Sequence, residues 1–302
     1  MTKQLSGTYA ALLTGFSDDG AFSNVRQNAI LDYVTAQNLT GLYVGGSSAE
    51  DGLMEVDELV AQQEVVRDHA IARDMTLIAH VGRASLRSSV RLAKAAEQNG
   101  FHAISALPPH AYPHTEAEIQ AYYATLSAAT SLPLIAYEIP VRTHCALSID
   151  LLTSVLGMQG VAGLKFTSND IFKLALLRKA APDSVLFFGY DEILSAGLVS
   201  GADGGIGTTY NVIGSLYTAL HQAIQSSDLE RAQHLQRASQ DFIQVLIDIG
   251  VIPATKLALQ VLGVDAGPAR EPLTLRVPDA EARLKAALAA PELAPWLAKA
   301  RV

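Results

Sequence analysis

What this chain of 302 residues has little of already removes several classes of function. It carries one cysteine, Cys145, so no internal disulfide can form and no cysteine-based metal cage can be built. Basic residues are few: 22 Lys and Arg stand against 30 Asp and Glu, giving a formal net charge of −8 with no long basic run. That balance argues against a nucleic-acid partner. No apolar stretch approaches the roughly 20 residues needed to span a bilayer, so no membrane segment is expected. The stretch MTKQLSGTYAALLTGF lacks the charged region, apolar core and cleavage site of a secretory leader, and the cytoplasm is the expected compartment. Short repeats are missing, and the only biased composition is a mildly Ala-rich tail. Also missing is a Gly-rich phosphate turn after the first apolar run, where TGFSDDG stands instead.

What is present is a recurring pair: a short apolar run, then an amphipathic, Ala-rich segment. The runs Tyr9 to Leu13, Gly41 to Val44, Thr76 to Val81, His102 to Ala106, Leu134 to Tyr137, Val161 to Phe166, Val185 to Phe188 and Gly204 to Gly207 read as buried strands. Helical patterns lie between them, for example Val25 to Gln37, Glu55 to Ala72, Ser85 to Gln98 and Glu116 to Ala129. Thr115 and Ser148 fit N-caps, and Gly100 fits a C-terminal cap. Eight βα units without a composition break predict an α/β fold, a closed (β/α)8 TIM barrel over residues 1–227. An open, doubly wound sheet is the alternative. From about Asp228 the pattern is helical only: Leu229 to Ile249, Pro253 to Leu262, Asp279 to Ala289 and Pro291 to Lys299. Residues 228–302 are therefore expected to form a C-terminal helical extension.

Within GVAGLKFTSND, Lys165 is set in an apolar run, sharing one strand face with Val161 and Gly163. An amine taken out of water is favoured in its neutral, nucleophilic form. The plainer reading is a strand-end lysine that pairs with a carboxylate or reaches water along its stem. A barrel would place catalysis at the C-terminal ends of its strands. Those ends carry GGSSAED, His80, Tyr137, then Lys165 with Thr167, Gly189 to Glu192, and GIGTTYN. Tyr137 and Lys165 would come from adjacent strands at comparable depth, an arrangement suited to imine chemistry with a phenol moving protons. Ser47 and Ser48, in a Gly-supported turn, offer donors for a carboxylate. His80 reads better as a hydrogen-bonded barrel filler. His110 and His114 read as loop residues, Cys145 as a small buried residue, and Asp191-Glu192 alone could be helix N-terminal acids.

The blocks GLYVGGSSAED, LIAHVG, IAYEIP, GLKFTSND, FFGYDEIL and SGADGGIGTTYN resemble the dihydrodipicolinate synthase / N-acetylneuraminate lyase family of class I, pyruvate-dependent aldolases, on its lyase side. The resemblance covers most of the chain. It implies that Lys165 forms an imine with pyruvate and that Tyr137 is the general acid/base. It assigns Ser47 and Ser48 to the pyruvate carboxylate, and Thr167, Gly189, Asp191, Glu192 and Thr208 to the hydroxyl-bearing tail of the aldehyde. No metal or other cofactor is implied, because the protonated imine is itself the electron sink. The expected partners are small molecules, and a homotetramer is expected.

The chain also departs from the family pattern. Ala111 aligns with a tyrosine after the fourth strand, with Tyr112 one position on; Glu138 replaces an Asn, and Ala49 a Gly. Ile252 stands where lyases often carry an aromatic residue. Arg142-Thr143 resembles the synthase side, where the arginine binds a substrate carboxylate. The expected reaction is reversible cleavage of a 2-oxo-4-hydroxy acid to pyruvate and an aldehyde. The alternatives are a synthase condensing pyruvate with aspartate semialdehyde and a non-catalytic keto-acid sensor.

Overall fold

The computed structural model describes residues 5–69 and 71–298. Eight parallel strands pair in sequence order and close on themselves: β1 (Gly7–Ala11), β2 (Gly41–Val44), β3 (Thr76–His80), β4 (Ala103–Ala106), β5 (Leu134–Glu138), β6 (Val161–Phe166), β7 (Val185–Phe188) and β8 (Gly204–Gly207). Helices α1 (Asn24–Val34), α2 (Val56–Asp68), α3 (Leu86–Gln98), α4 (Glu116–Ala128), α5 (Pro140–Thr143), α6 (Ile149–Leu156), α7 (Ile171–Ala180), α8 (Leu194–Val199) and α9 (Tyr210–Gln225) connect the strands and cover the outside. This is a (β/α)8 barrel; the open sheet is excluded by the β1–β8 pairing.

Side-chain alternation sorts each strand into two cores. Tyr9, Tyr43, Ile78, Ala103, Ile135, Phe187 and Ile206 point inward and fill the barrel. Strand residues of the opposite register, such as Ala10, Leu42, Ala79, Ile104, Leu164 and Leu186, point outward and pack under the helices. Both faces are buried, which is why the strands read as continuous apolar runs rather than alternating ones. The helix starts obey local chemistry. Thr115 accepts from Glu118 N while the Glu118 carboxylate accepts from Thr115 N, a capping box, and Ser148 accepts from Leu151 N. Each such cap contributes about 1 kcal/mol. Gly100 takes a φ of 73° after α3, a conformation that favours glycine.

The tail forms α10 (Leu229–Ile249), α11 (Val251–Val261) and α12 (Ala280–Leu288). α10 packs along α9 and α8, and α11 turns from it by 114° at Gly250. Among the described residues no single helix is long and apolar enough to cross a membrane. Several expected boundaries move, three of them for reasons visible in the structure. β1 starts earlier and ends at Ala11, because Leu12 and Leu13 are buried beyond the strand end, and burial alone does not mark where a ladder stops. α2 ends at Asp68, where the His69 ring accepts from Ala72 N and Ala72–Asp74 forms a separate 3-10 turn. The expected helix from Pro291 is reduced to a 3-10 turn, Ala294–Trp296. Pro295 lacks an N–H and biases Ala294 away from helix; Lys299 lies outside the described residues.

Candidate active site

A cavity of about 230 Å³ opens at the C-terminal ends of the strands. Lys165 stands in it from β6 and Tyr137 from β5, and the two are direct register partners in the ladder. Both are buried, and the Lys165 Nζ lies 3.9 Å from the centre of the Tyr137 ring and 4.9 Å from that of Tyr43. The two other buried lysines, Lys173 and Lys256, each face a carboxylate at 3.0 and 2.7 Å. Among the described residues Lys165 has no such ion pair, which removes the carboxylate-paired form of the plainer reading. Its amine faces aromatic rings and the cavity instead.

The turn after β2 forms one wall. Ser47–Ala49 make a 3-10 turn closed by Glu50 N donating to Ser47 O at 3.1 Å. Glu50 itself has a φ of 63°, in the left-handed region where a non-glycine residue stores of order 1 kcal/mol of strain. The Ser48 hydroxyl meets that of Thr208, from the end of β8, at 2.6 Å. The Ser47 hydroxyl accepts from Arg142 and keeps its own proton for donation into the cavity.

The opposite wall comes from the loop after β7. Gly189 can carry no side chain, since a Cβ there would meet the Thr167 hydroxyl at 1.8 Å. That hydroxyl is buried without a hydrogen-bond partner in the protein. Asp191 accepts from Thr209 N at 2.9 Å and Thr209 Oγ1 at 2.6 Å. Burial nevertheless outweighs these bonds and pushes its carboxyl up to about 6. Glu192 is half-buried on the same rim. α10 grips both main chains: Gln236 donates to Asp191 O and Gln240 to Glu192 O. Ile243, Ile247 and Val251 of the tail close the cavity on that side.

Arg142 behaves differently from the other site residues expected from the sequence. It does not line the cavity. Its guanidinium makes a two-pronged pair with the buried Asp51, at 2.8 and 2.9 Å, and touches the cavity only through Ser47. Arg83 adds a second positive charge 3.6 Å from Asp51. His80 is the barrel filler anticipated, its Nδ1 2.9 Å from the Tyr43 hydroxyl; burial drives it down to about 3, so the ring is neutral.

Other expectations change. Cys145 is exposed, not buried, because the segment after α5 turns outward at His144, whose φ is 55°. Ala111 and Tyr112 are exposed on the loop after β4 and do not reach the cavity. Ile252 packs into the hydrophobic core, while its neighbour Val251 lines the cavity. Glu138 points out of the barrel, buried, and takes Lys173 Nζ at 3.0 Å and Leu147 N at 3.2 Å, fixing the loop that carries Arg142. Sequence reasoning did not single out Tyr43, Asp51 or the tail residues. Tyr43 had a signal, as the residue two beyond Gly41 on an inward-facing strand register, and Asp51 lay within GGSSAED at a strand end. A larger depression, about 490 Å³, opens at the other end of the barrel. It carries no comparable chemistry: its Arg178 is engaged by three carbonyls and Asp203.

Residues 4–291 match the dihydrodipicolinate synthetase family. The N-acetylneuraminate lyase of Rhizobium meliloti (strain 1021) is 40% identical over 269 residues, covering 89% of each chain. CdNal from Clostridium difficile, solved in complex with mannosamine, superposes with a TM-score of 0.91 at 31% identity, over 94% of this chain and 98% of that one. The N-acetylneuraminate lyase of Fusobacterium nucleatum, complexed with pyruvate, gives 0.89 at 30% identity, over 95% and 97%.

Proposed function

The chain belongs to the dihydrodipicolinate synthetase family, and from that premise we propose a class I aldolase that cleaves an N-acetylneuraminate-like 2-oxo-4-hydroxy acid to pyruvate and an aldehyde. The observation that carries the reading is the Lys165–Tyr137 register pair, an amine that has no carboxylate partner among the described residues and stands beside a phenol in the cavity at the barrel mouth.

The chemistry follows from these positions. The Lys165 amine adds through its lone pair to the C2 carbonyl of the substrate; the Tyr137 phenol gives its proton to the departing oxygen, which leaves as water, and a protonated imine remains. The phenolate so formed takes the proton of the C4 hydroxyl. The C3–C4 bond then breaks, its electron pair passes into the enamine, and the aldehyde departs. Protonation at C3 and hydrolysis release pyruvate and restore the amine. Ser47 and Ser48 hold the carboxylate of the pyruvate portion. Thr167, Gly189, Asp191, Glu192 and Thr208 face the rest of the substrate.

The acceptor in the reverse direction is a neutral polyhydroxy aldehyde. Asp191 and Glu192 accept hydrogen bonds from hydroxyls when ionised and repel an anion. The counterargument was Arg142, whose planar fork suits a carboxylate. That fork is already matched by Asp51, which favours the lyase over aspartate semialdehyde condensation. Arg142 then serves the site through Ser47 rather than by touching the acceptor. The barrel (1–227) is read as the catalytic unit and the helices from 228 as its brace. A cytoplasmic homotetramer acting on small molecules, without nucleic-acid or membrane partners, completes the reading on family likeness and charge.

Pyruvate plus borohydride tests the reading. Intact-mass spectrometry is expected to show one reduced pyruvyl adduct, lost in Lys165→Ala. Labelling that survives the substitution would refute the assignment.

A further inference from the structure

The carboxylate-binding turn is held from behind by a buried ion pair that the reaction itself does not use. Glu50, the residue whose N–H closes the Ser47–Ala49 turn, sends its side chain away from the cavity. There one carboxylate oxygen lies 2.7 Å from Lys256 Nζ on α11, and the other accepts from Arg270 N at 2.6 Å. Lys256 makes a second bond to Pro268 O at 2.8 Å. Both charged partners are almost fully buried. The Phe16 ring, from the loop after β1, lies 4.4 Å from the Lys256 ammonium and 4.1 Å from the Arg270 guanidinium.

Burying two charges is costly, and a pair of apolar side chains would fill the same space with less desolvation. A buried pair of this kind specifies one arrangement. Here it specifies how the tail meets the turn. The same tail supplies Ile243, Ile247 and Val251 to the cavity wall, so α10 and α11 bound the substrate on one side and brace its seat from the other. The left-handed conformation of Glu50 supports this, since a strained backbone persists only where surrounding contacts over-determine it.

We propose that Glu50 and Lys256 are positioning residues: their pair fixes the Ser47–Ser48 turn and thereby sets the affinity for the substrate's carboxylate. The inference rests on the aldolase reading, under which that turn receives the carboxylate of pyruvate.

The test separates the carboxylate from the carbonyl. Acetone is pyruvate with a methyl group in place of the carboxylate, and both can be trapped on Lys165 by borohydride. The concentration giving half-maximal trapping is measured for each ligand in wild type, in Lys256→Met, and in the double variant Glu50→Gln/Lys256→Met, which leaves no lone buried charge. The expected result is a rise of about tenfold or more for pyruvate in both variants, the worth of a charge-assisted hydrogen bond, with acetone unchanged. The double variant keeps the test open if Lys256→Met alone does not fold. Equal shifts for the two ligands would make the pair merely structural. Normal pyruvate trapping in the double variant would overturn the proposal as well. If wild type traps neither ligand, the aldolase reading itself falls.

Discussion

Replacing Asp191 by Asn is expected to make the protein more stable and a poorer catalyst for its sugar-like substrate, and both effects can be sized. Burial lifts this carboxyl from an ordinary 3.8 to about 6. A raised acid holds its proton more tightly in the native state, so its contribution to stability is complete below about pH 4 and is lost as pH rises toward 6. At neutral pH the ionised group therefore costs about 3 kcal/mol, from a shift of about 2.2 units at 1.36 kcal/mol each. The Asn amide oxygen can keep both Thr209 bonds without the charge. Asp191→Asn should exceed the parent by about 1 kcal/mol near pH 4.5 and about 3 kcal/mol near pH 8. For a chain of this length that is a gain in Tm on the order of 5 °C at the upper end. Thermal unfolding across this range, with circular dichroism as the readout, provides the assay. In parallel, kcat/KM for a polyhydroxy aldehyde should fall while pyruvate trapping at Lys165 is unchanged. A gain in Tm independent of pH, or a loss at pH 8, would refute the burial argument. A fall in pyruvate trapping would refute the placement of Asp191 on the acceptor side.

Tyr137→Phe retains the ring against Lys165 and should keep the fold while turnover drops by about 10²-fold or more, the usual worth of a positioned acid/base; steady-state kinetics with unfolding curves check it. Arg142→Ala should leave the ratio of kcat/KM for neutral polyhydroxy aldehydes to that for aspartate semialdehyde in favour of the polyols, because Asp51 already occupies the guanidinium. A wild-type preference for aspartate semialdehyde that vanishes in Arg142→Ala would restore the synthase reading. Lys173→Met strands the buried Glu138 and should cost about 3–5 kcal/mol, most of it recovered by adding Glu138→Gln; chemical denaturation measures both.

β2, β6, β7 and β8 have the bounds read from their apolar runs, since a glycine or a polar residue flanks each run at both ends, whereas the apolar run of β1 continues past its ladder into Leu12 and Leu13. The Tyr137–Lys165 adjacency also follows from chain order once the barrel closes, because consecutive strands are neighbours. Contacts between loops are another matter. Asp51 with Arg142, and Glu50 with Lys256, join residues far apart in the chain, and single side chains in irregular turns leave no periodic trace. Arg142 could be recognised as a site candidate, but not that its guanidinium is already engaged by Asp51. The exposure of Cys145 depends on one left-handed residue, His144, which composition does not announce.

The ladder pairing of Tyr137 with Lys165 has a consequence for how such a protein can change. Under the proposed mechanism the nucleophile and the proton carrier are register partners on adjacent barrel strands, whereas Val141, Tyr190, Glu192 and Thr208 belong to the rim. Bond making and substrate choice are thus borne by separate parts of the chain. A library randomised only at the rim should retain imine formation in most members while spreading widely in the aldehyde they accept. Borohydride trapping of pyruvate would then serve as a common screen for intact chemistry, applied before any acceptor is chosen.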